Sequence, residues 1–338
     1  MNSRQIIQAV LDFANPPRIG MTLPDPYPDD LLILSRKGAD PVPLPPQGNE
    51  HTRSKDEWGV VWASLTDYDK GEVVAGALPD WSSLARYEPP DLGKAEDYAE
   101  AARLFAAEKE RFRAGTLPGF TFNVARKLRK LENYLCDLVL EREHVLCLNE
   151  LVRAEILKSI EQWAAAGADA VFFCEDWGTQ DRLMISPEMW REVFRREFEI
   201  LAGRAKELGM YVLMHSCGKM TAIVEDLIEC GVSCLQFDQP RLHGIETLSE
   251  RFGGRIAFWC PVDIQKTLQT RDPKRIRDEA KLLAEKLGGF GGGFIAGYYS
   301  GNEAIGLPPE VQEVASKAFV EFAAAPKIIT RPMKPPRR

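Results

Sequence analysis

Residues 214–220 read MHSCGKM and place an imidazole and a thiol one residue apart, directly after the apolar run Tyr211-Val212-Leu213. His215 is one of four histidines in 338 residues, and Cys217 one of seven cysteines. On an extended segment, side chains two apart project to the same side. Imidazole and thiolate are the donors that a borderline-soft cation such as zinc prefers, and a catalytic zinc takes about three protein ligands with one position open. His215 and Cys217 supply two. Glu175, Asp176, Asp238 and Cys260 are candidates for the rest. The competing reading makes Cys217 a small buried hydrophobe and His215 a hydrogen-bonded core residue.

Such a pair needs elements that bring distant segments to one place. Short apolar runs recur at 170–174, 211–214, 234–237, 256–260 and 293–296, with helical patterns at 186–208, 220–230, 244–252 and 273–287 between them. That alternation predicts a parallel sheet covered by helices, and near-continuous apolar strands suit burial on both faces. Two or three earlier strands bring the count close to eight, so the expected fold is a single α/β (β/α)8 TIM-like barrel. An open doubly wound sheet is the alternative, weakened because no G-x-G-x-x-G follows a strand. Upstream, the pattern predicts a helix at 3–14 capped by Ser3, and an irregular Pro/Gly/Asp-rich excursion over 17–60. It then predicts an amphipathic helix over 94–115 stopped by Gly115, a strand over 119–125, and two or three helices over 128–168. One domain is expected over 1–330, with an irregular part to 95 and regular units from 96, followed by a disordered basic tail, 331–338.

In a barrel, catalytic groups stand at the C-terminal ends of the strands. Here those ends carry Glu175, Asp176, Trp177 and Gln180, then His215 and Cys217, then Asp238 and Gln239, then Cys260, then Tyr298. Ionisable residues collecting on one rim assign catalytic roles to Glu175, Asp176 and Asp238, and substrate contacts to Trp177, Gln180, Gln239 and Tyr298. Plainer roles compete: the Glu175-Asp176 pair as a helix cap, Asp238 as a turn residue before Pro240. Cys136, Cys147, Cys174, Cys230 and Cys234 read as packing residues, as do Trp58, Trp62 and Trp81.

Composition excludes several classes. The net charge is −7 with the basic residues dispersed, so no nucleic-acid footprint exists. No window of about 18 apolar residues can span a membrane, and the first residues lack an apolar h-region. Seven unevenly spaced cysteines then read as reduced thiols, with a cytoplasmic location and a small-molecule substrate expected.

The segments FFCEDWGTQDRLMISPEMWREVF, GMYVLMHSCGK and CLQFDQP, in that order, resemble the uroporphyrinogen decarboxylase superfamily, closest to its methyltransferase-like branch. DEWGVVW and LRKLEN at 128–133 extend the resemblance over most of the chain. It implies a TIM-like barrel and, for the corrinoid-dependent methyltransferases of that branch, zinc held by a His-x-Cys pair and a later cysteine. His215 and Cys217 match the pair. Tyr298, Tyr299 and Ser300 stand where the later cysteine belongs, so either a different third ligand is used, such as Glu175, Asp176 or Cys260, or the metal has been lost. The decarboxylases carry an arginine-rich N-terminal segment for substrate carboxylates, whereas PRIGMTLPDPYPDD holds one arginine. The resemblance therefore implies methyl transfer between a small methylated substrate or thiol and a corrinoid. Because D-x-H-x-x-G is absent, cobalamin is expected from a carrier protein. The alternatives are a metal-free decarboxylase of a smaller acid and a non-catalytic small-molecule or corrinoid-binding protein.

Overall fold

The computed structural model of the chain describes residues 1–68 and 71–324. Eight strands form a nearly closed parallel barrel. In chain order they are β1 (Gly20–Met21), β2 (Leu31–Leu34), β7 (Phe112–Thr116), β8 (Ala170–Cys174), β9 (Tyr211–His215), β10 (Cys234–Gln236), β11 (Ala257–Cys260) and β12 (Phe294–Ala296). Around the ring the order is β1-β12-β11-β10-β9-β8-β7-β2. The seam between β1 and β2 is bridged where the Asp30 N–H donates to the Met21 carbonyl, 2.8 Å. Strands β3 (Val42–Leu44), β4 (Thr52–Lys55), β5 (Val61–Ser64) and β6 (Glu72–Ala75) form a separate antiparallel sheet. The 17–60 stretch is therefore not an irregular excursion. It supplies both edge strands of the barrel and half of the side sheet, in runs too short and proline-broken to carry a periodic signal.

The first helix, α1 (Ser3–Leu11), is capped by Asn2 in a reciprocal box with Gln5, not by Ser3. Its Ile6, Ile7, Val10 and Leu11 pack against Leu31, Phe112, Ala170, Leu213 and Ile295, which point into the barrel. This helix plugs the N-terminal end of the barrel.

The helical layer comprises α2 (Ala99–Ala107), α3 (Thr121–Leu128), α4 (Leu131–Leu140), α5 (Arg142–Ala165), α6 (Pro187–Val193), α7 (Arg195–Glu207), α8 (Val224–Cys230), α9 (Pro240–His243), α10 (Ile245–Phe252), α11 (Pro273–Gly288) and α12 (Pro309–Glu321). Two segments depart from the pattern-based reading. The expected 94–115 helix is α2 followed by β7, and Gly115 lies inside that strand because the Trp163 ring sits 2.1 Å from where a Cβ would be. The expected 119–125 strand is the start of α3. Its aromatic and β-branched residues favour strand, but tertiary capping overrides them: the Glu175 carboxylate accepts from the Phe120 N–H at 2.8 Å and the Asn123 N–H at 3.2 Å. The tail 331–338 lies outside the described residues.

Candidate metal centre

Barrel strands alternate, so β8 turns Ala170, Phe172 and Cys174 inward while Val171 and Phe173 face the helices. On β9 the inward set is Tyr211, Leu213 and His215. His215 is the last residue of its strand, in register with Cys174, and Gln236 of β10 lies on its other side. Its side chain therefore stands at the mouth, above a floor of Phe172, Leu213 and Trp259.

Three candidate ligands converge there. Asp176, His215 and Cys217 each offer a donor atom, all lying within 4.8 Å of one another. His215 Nε2 is 3.2 Å from Cys217 Sγ and 3.6 Å from Asp176 Oδ1. Zn–N near 2.0 Å, Zn–O near 2.1 Å and Zn–S near 2.3 Å at a tetrahedral angle would separate N from S by about 3.5 Å and N from O by about 3.4 Å. The observed spacings lie within a few tenths of an ångström of both, so this donor set fits a zinc ion with one position left open.

Surrounding groups fix each donor. The Cys217 N–H donates to Asp176 Oδ1 at 2.8 Å, and Arg126 Nη2 donates to Oδ2 at 3.3 Å. His215 Nδ1 contacts Gln236 Oε1, and Gln236 Nε2 donates to Asp238 Oδ1 at 2.9 Å. Because the Asp238 carboxylate takes the amide N–H, the amide oxygen faces the ring. Nδ1 therefore carries the proton, and the Nε2 lone pair points at Cys217 and Asp176.

The two motif loops are locked by glycines. Gly218 has φ +72, and a Cβ there would lie 2.1 Å from the Gly178 carbonyl oxygen. A Cβ on Gly178 would lie 2.3 Å from the Lys219 nitrogen. With no side chains between them the loops touch, and the Lys219 N–H donates to the Thr179 carbonyl at 2.7 Å. The glycines of D-W-G-T-Q and H-S-C-G are thus what lets Asp176 and Cys217 meet.

Other expected site residues are placed elsewhere. Glu175 is fully buried on the helical side, and burial pushes its carboxyl up to about 8 against the two backbone donors of α3. It sets α3, which carries Arg126, and does not join the ligand cluster. Cys260 is fully buried among Phe237 and Phe258, facing the helices, and burial raises its thiol pKa well above the ordinary range. That orientation removes it as a ligand. Trp177 is also fully buried, its ring stacked 4.1 Å from Phe122 and packed on Phe194, so it builds the core behind the site. Gln180 is exposed in the turn after Gly178, Gln239 is half-buried before Pro240, and Tyr298 Oη accepts from Asn302 at 2.8 Å. Cys136, Cys147 and Cys174 are exposed rather than packed, Cys174 at the mouth itself, while Cys230 and Cys234 are buried as expected. Gln236 and Arg126 were not among the expected residues. Gln236 was visible as a polar residue inside the run CLQF, two residues before Asp238. Arg126 lay just past a segment read as strand.

A parallel barrel plugged at its base and carrying a His-Cys-Asp cluster at its mouth defines a TIM-barrel protein with a candidate metal centre. Residues 67–325 match the family model of uroporphyrinogen decarboxylase (URO-D), and the chain belongs to that family. A comparison with curated proteins finds no match. Among solved structures, a methyltransferase from Methanosarcina mazei is similar with a TM-score of 0.57 and 16% identity, over 76% of this chain and 74% of that one. A B12-independent methionine synthase from Shewanella sp. W3-18-1 is similar with a TM-score of 0.44 and 11% identity, over 85% of this chain and 75% of that one. The likeness to the Methanosarcina mazei structure concerns the fold. No helix among the described residues is long and apolar enough to cross a membrane.

Proposed function

We propose that the chain is a zinc-dependent methyltransferase, acting between a small methylated substrate or thiol and a corrinoid brought by a carrier protein. The observation that carries this reading is the Asp176–His215–Cys217 cluster at the C-terminal mouth of the barrel, whose His215–Cys217 and His215–Asp176 spacings suit a tetrahedral ion. The family and the Methanosarcina mazei neighbour support the same direction. Bound zinc supplies a Lewis acid that lowers the pKa of a thiol or polarises a methyl donor.

The chain's own residues hold and tune that site. Cys217 and Asp176 bring anionic donors and His215 a neutral one, while Arg126 offsets part of the negative charge. Gln236 and Asp238 orient the imidazole, and α1 packs apolar side chains beneath the site. Porphyrinogen decarboxylation is the weaker reading. Arg18, the one arginine of the N-terminal segment, is tied to the buried Asp30 at 2.6 and 2.7 Å and is unavailable for a polycarboxylate.

The test is zinc content of the purified chain by inductively coupled plasma spectrometry. About one ion per chain is expected in the wild type and in Cys260→Ala, with loss in Cys217→Ala and His215→Ala. Metal-free wild type, or equal zinc in all four, defeats the reading.

A further inference from the structure

A cavity of about 230 Å³ lies beside the barrel mouth between β7, α3 and the N-terminal segment ahead of β5. Trp58, Val60, Leu117 and Val124 give it apolar walls, and Thr116 at the end of β7 forms its inner side. Thr116 is in register with Phe172, two residues before Cys174, which is in register with His215. One strand thus separates this cavity from the candidate metal centre.

Its charged lining is unevenly satisfied. Arg36 is in contact with Glu57 and lies 3.6 Å from Asp97. Asp56 accepts from the Val60 N–H at 3.0 Å and the Trp62 indole N–H at 2.9 Å. Lys127, half-buried on α3, has no carboxylate within ion-pair distance and no hydrogen-bond partner among the described residues; its ammonium rests 5.3 Å over the Trp62 ring, and Asp56 and Glu175 attract it from further off. An ammonium ion removed from bulk water, with a π-face beside it and the carboxylates of Asp56 and Glu175 only beyond ion-pair distance, is poorly compensated. Burial accordingly lowers its pKa, a penalty that an incoming anion would offset.

We infer that this cavity is a subsite for the carboxylate of a small acid, with Lys127 as its counter-ion and the apolar walls holding a short hydrocarbon body. The inference goes beyond the methyltransferase reading, since it assigns a ligand site one strand away from the candidate metal centre. At roughly 20–30 Å³ per non-hydrogen atom the cavity admits a molecule of about ten such atoms. A porphyrinogen does not fit.

Isothermal titration of the full chain with acetate, butyrate, succinate and methylphosphonate, and with butanol as the uncharged control, tests it. Wild type is expected to bind butyrate saturably and butanol more weakly. Lys127→Met should weaken butyrate by about 10- to 100-fold, the range for a lost hydrogen bond to a charged group, and Lys127→Arg should restore part of it. Tightest binding of methylphosphonate would overturn the carboxylate assignment. Equal butyrate affinity in wild type and Lys127→Met, or no saturable binding of any acid to the wild type, would overturn the subsite. None of these readouts depends on zinc, so failure here is distinguishable from failure of the metal reading.

Discussion

Replacing Gln236 by methionine tests whether the imidazole of His215 is held as a ligand. Gln236 is 9% exposed, accepts from His215 Nδ1 and passes its own N–H to Asp238. Methionine keeps most of the volume but offers no oxygen to the ring. Two effects follow. The inward Nδ1–H loses its partner, costing about 1–3 kcal/mol of stability. The ring also loses the contact that fixes its tautomer and aim, and loss of such a partner lowers metal affinity by about 10–100-fold, or roughly 1.4–2.7 kcal/mol. Competition for zinc against a chromophoric chelator at fixed pH reads the second effect. Urea unfolding of chelator-treated protein reads the first separately. A Gln236→Met chain that loses stability yet holds zinc as tightly as wild type would refute the relay and leave Gln236 a packing residue. Unchanged zinc affinity in His215→Ala as well would dispose of the metal centre itself.

Three further outcomes follow from the same geometry. Gly218→Ala should lower thermal stability by at least about 1–2 kcal/mol and release zinc, since its Cβ meets the Gly178 carbonyl and φ is +72; a melting point and zinc content equal to wild type would show that the loops are not locked. Alkylation by iodoacetamide, mapped by mass spectrometry, should label exposed Cys217 in zinc-free protein and spare Cys234 and Cys260, with zinc protecting Cys217; labelling of Cys217 unaffected by zinc counts against ligation. Glu175 sets a pH dependence: its folded pKa, about 8, exceeds the unfolded one, about 4.3, so between them the folded state holds the extra proton. Its contribution is fully present below about pH 4.3 and lost as pH rises through about 8, a slope that Glu175→Gln should flatten in denaturant midpoints.

Much of this site was readable in residue types. His215, Cys217 and Asp176 follow strands whose apolar runs are long and bounded, and inward alternation at a strand end places His215 without three-dimensional information. The errors fell where local preference and tertiary context disagree. Phe120-Thr121-Phe122 favours strand, and only a carboxylate arriving from β8 makes it the start of a helix, so Arg126 and Lys127 were hidden. Strand direction decided between Asp176 and its rivals. Cys260 closes β11 on the helix-facing side, and Glu175 turns under α3, whereas Asp176, one residue further on, reaches the mouth. A one-residue step exchanges the two faces, and no composition argument resolves it. The edge strands β1 and β2 were missed because two and four residues carry too little pattern.

The same directions explain why a third donor to a bound ion would come from just after β8 and not from the end of the barrel's last strand. After β12, Gln312 accepts from the Tyr299 N–H at 3.0 Å and donates to the Tyr299 carbonyl, while Asn302 donates to Tyr298 at 2.8 Å. This buried network ties the loop to α12, and a ligand placed there would have to break it. Asp176 needs no such rearrangement, because the Gly178–Gly218 contact already presses its carboxylate against the Cys217 N–H. Exchanging a thiolate for a carboxylate replaces a soft donor by a harder one that passes less charge to the ion. An ion held by Asp176, His215 and Cys217 would then be the stronger Lewis acid, and a thiol bound at its open position should ionise at lower pH than at a two-cysteine centre. Spectroscopic titration of a thiol bound to wild type and to Asp176→Cys decides this. A thiol pKa no lower in wild type than in the cysteine variant would mean that Asp176 is not the donor.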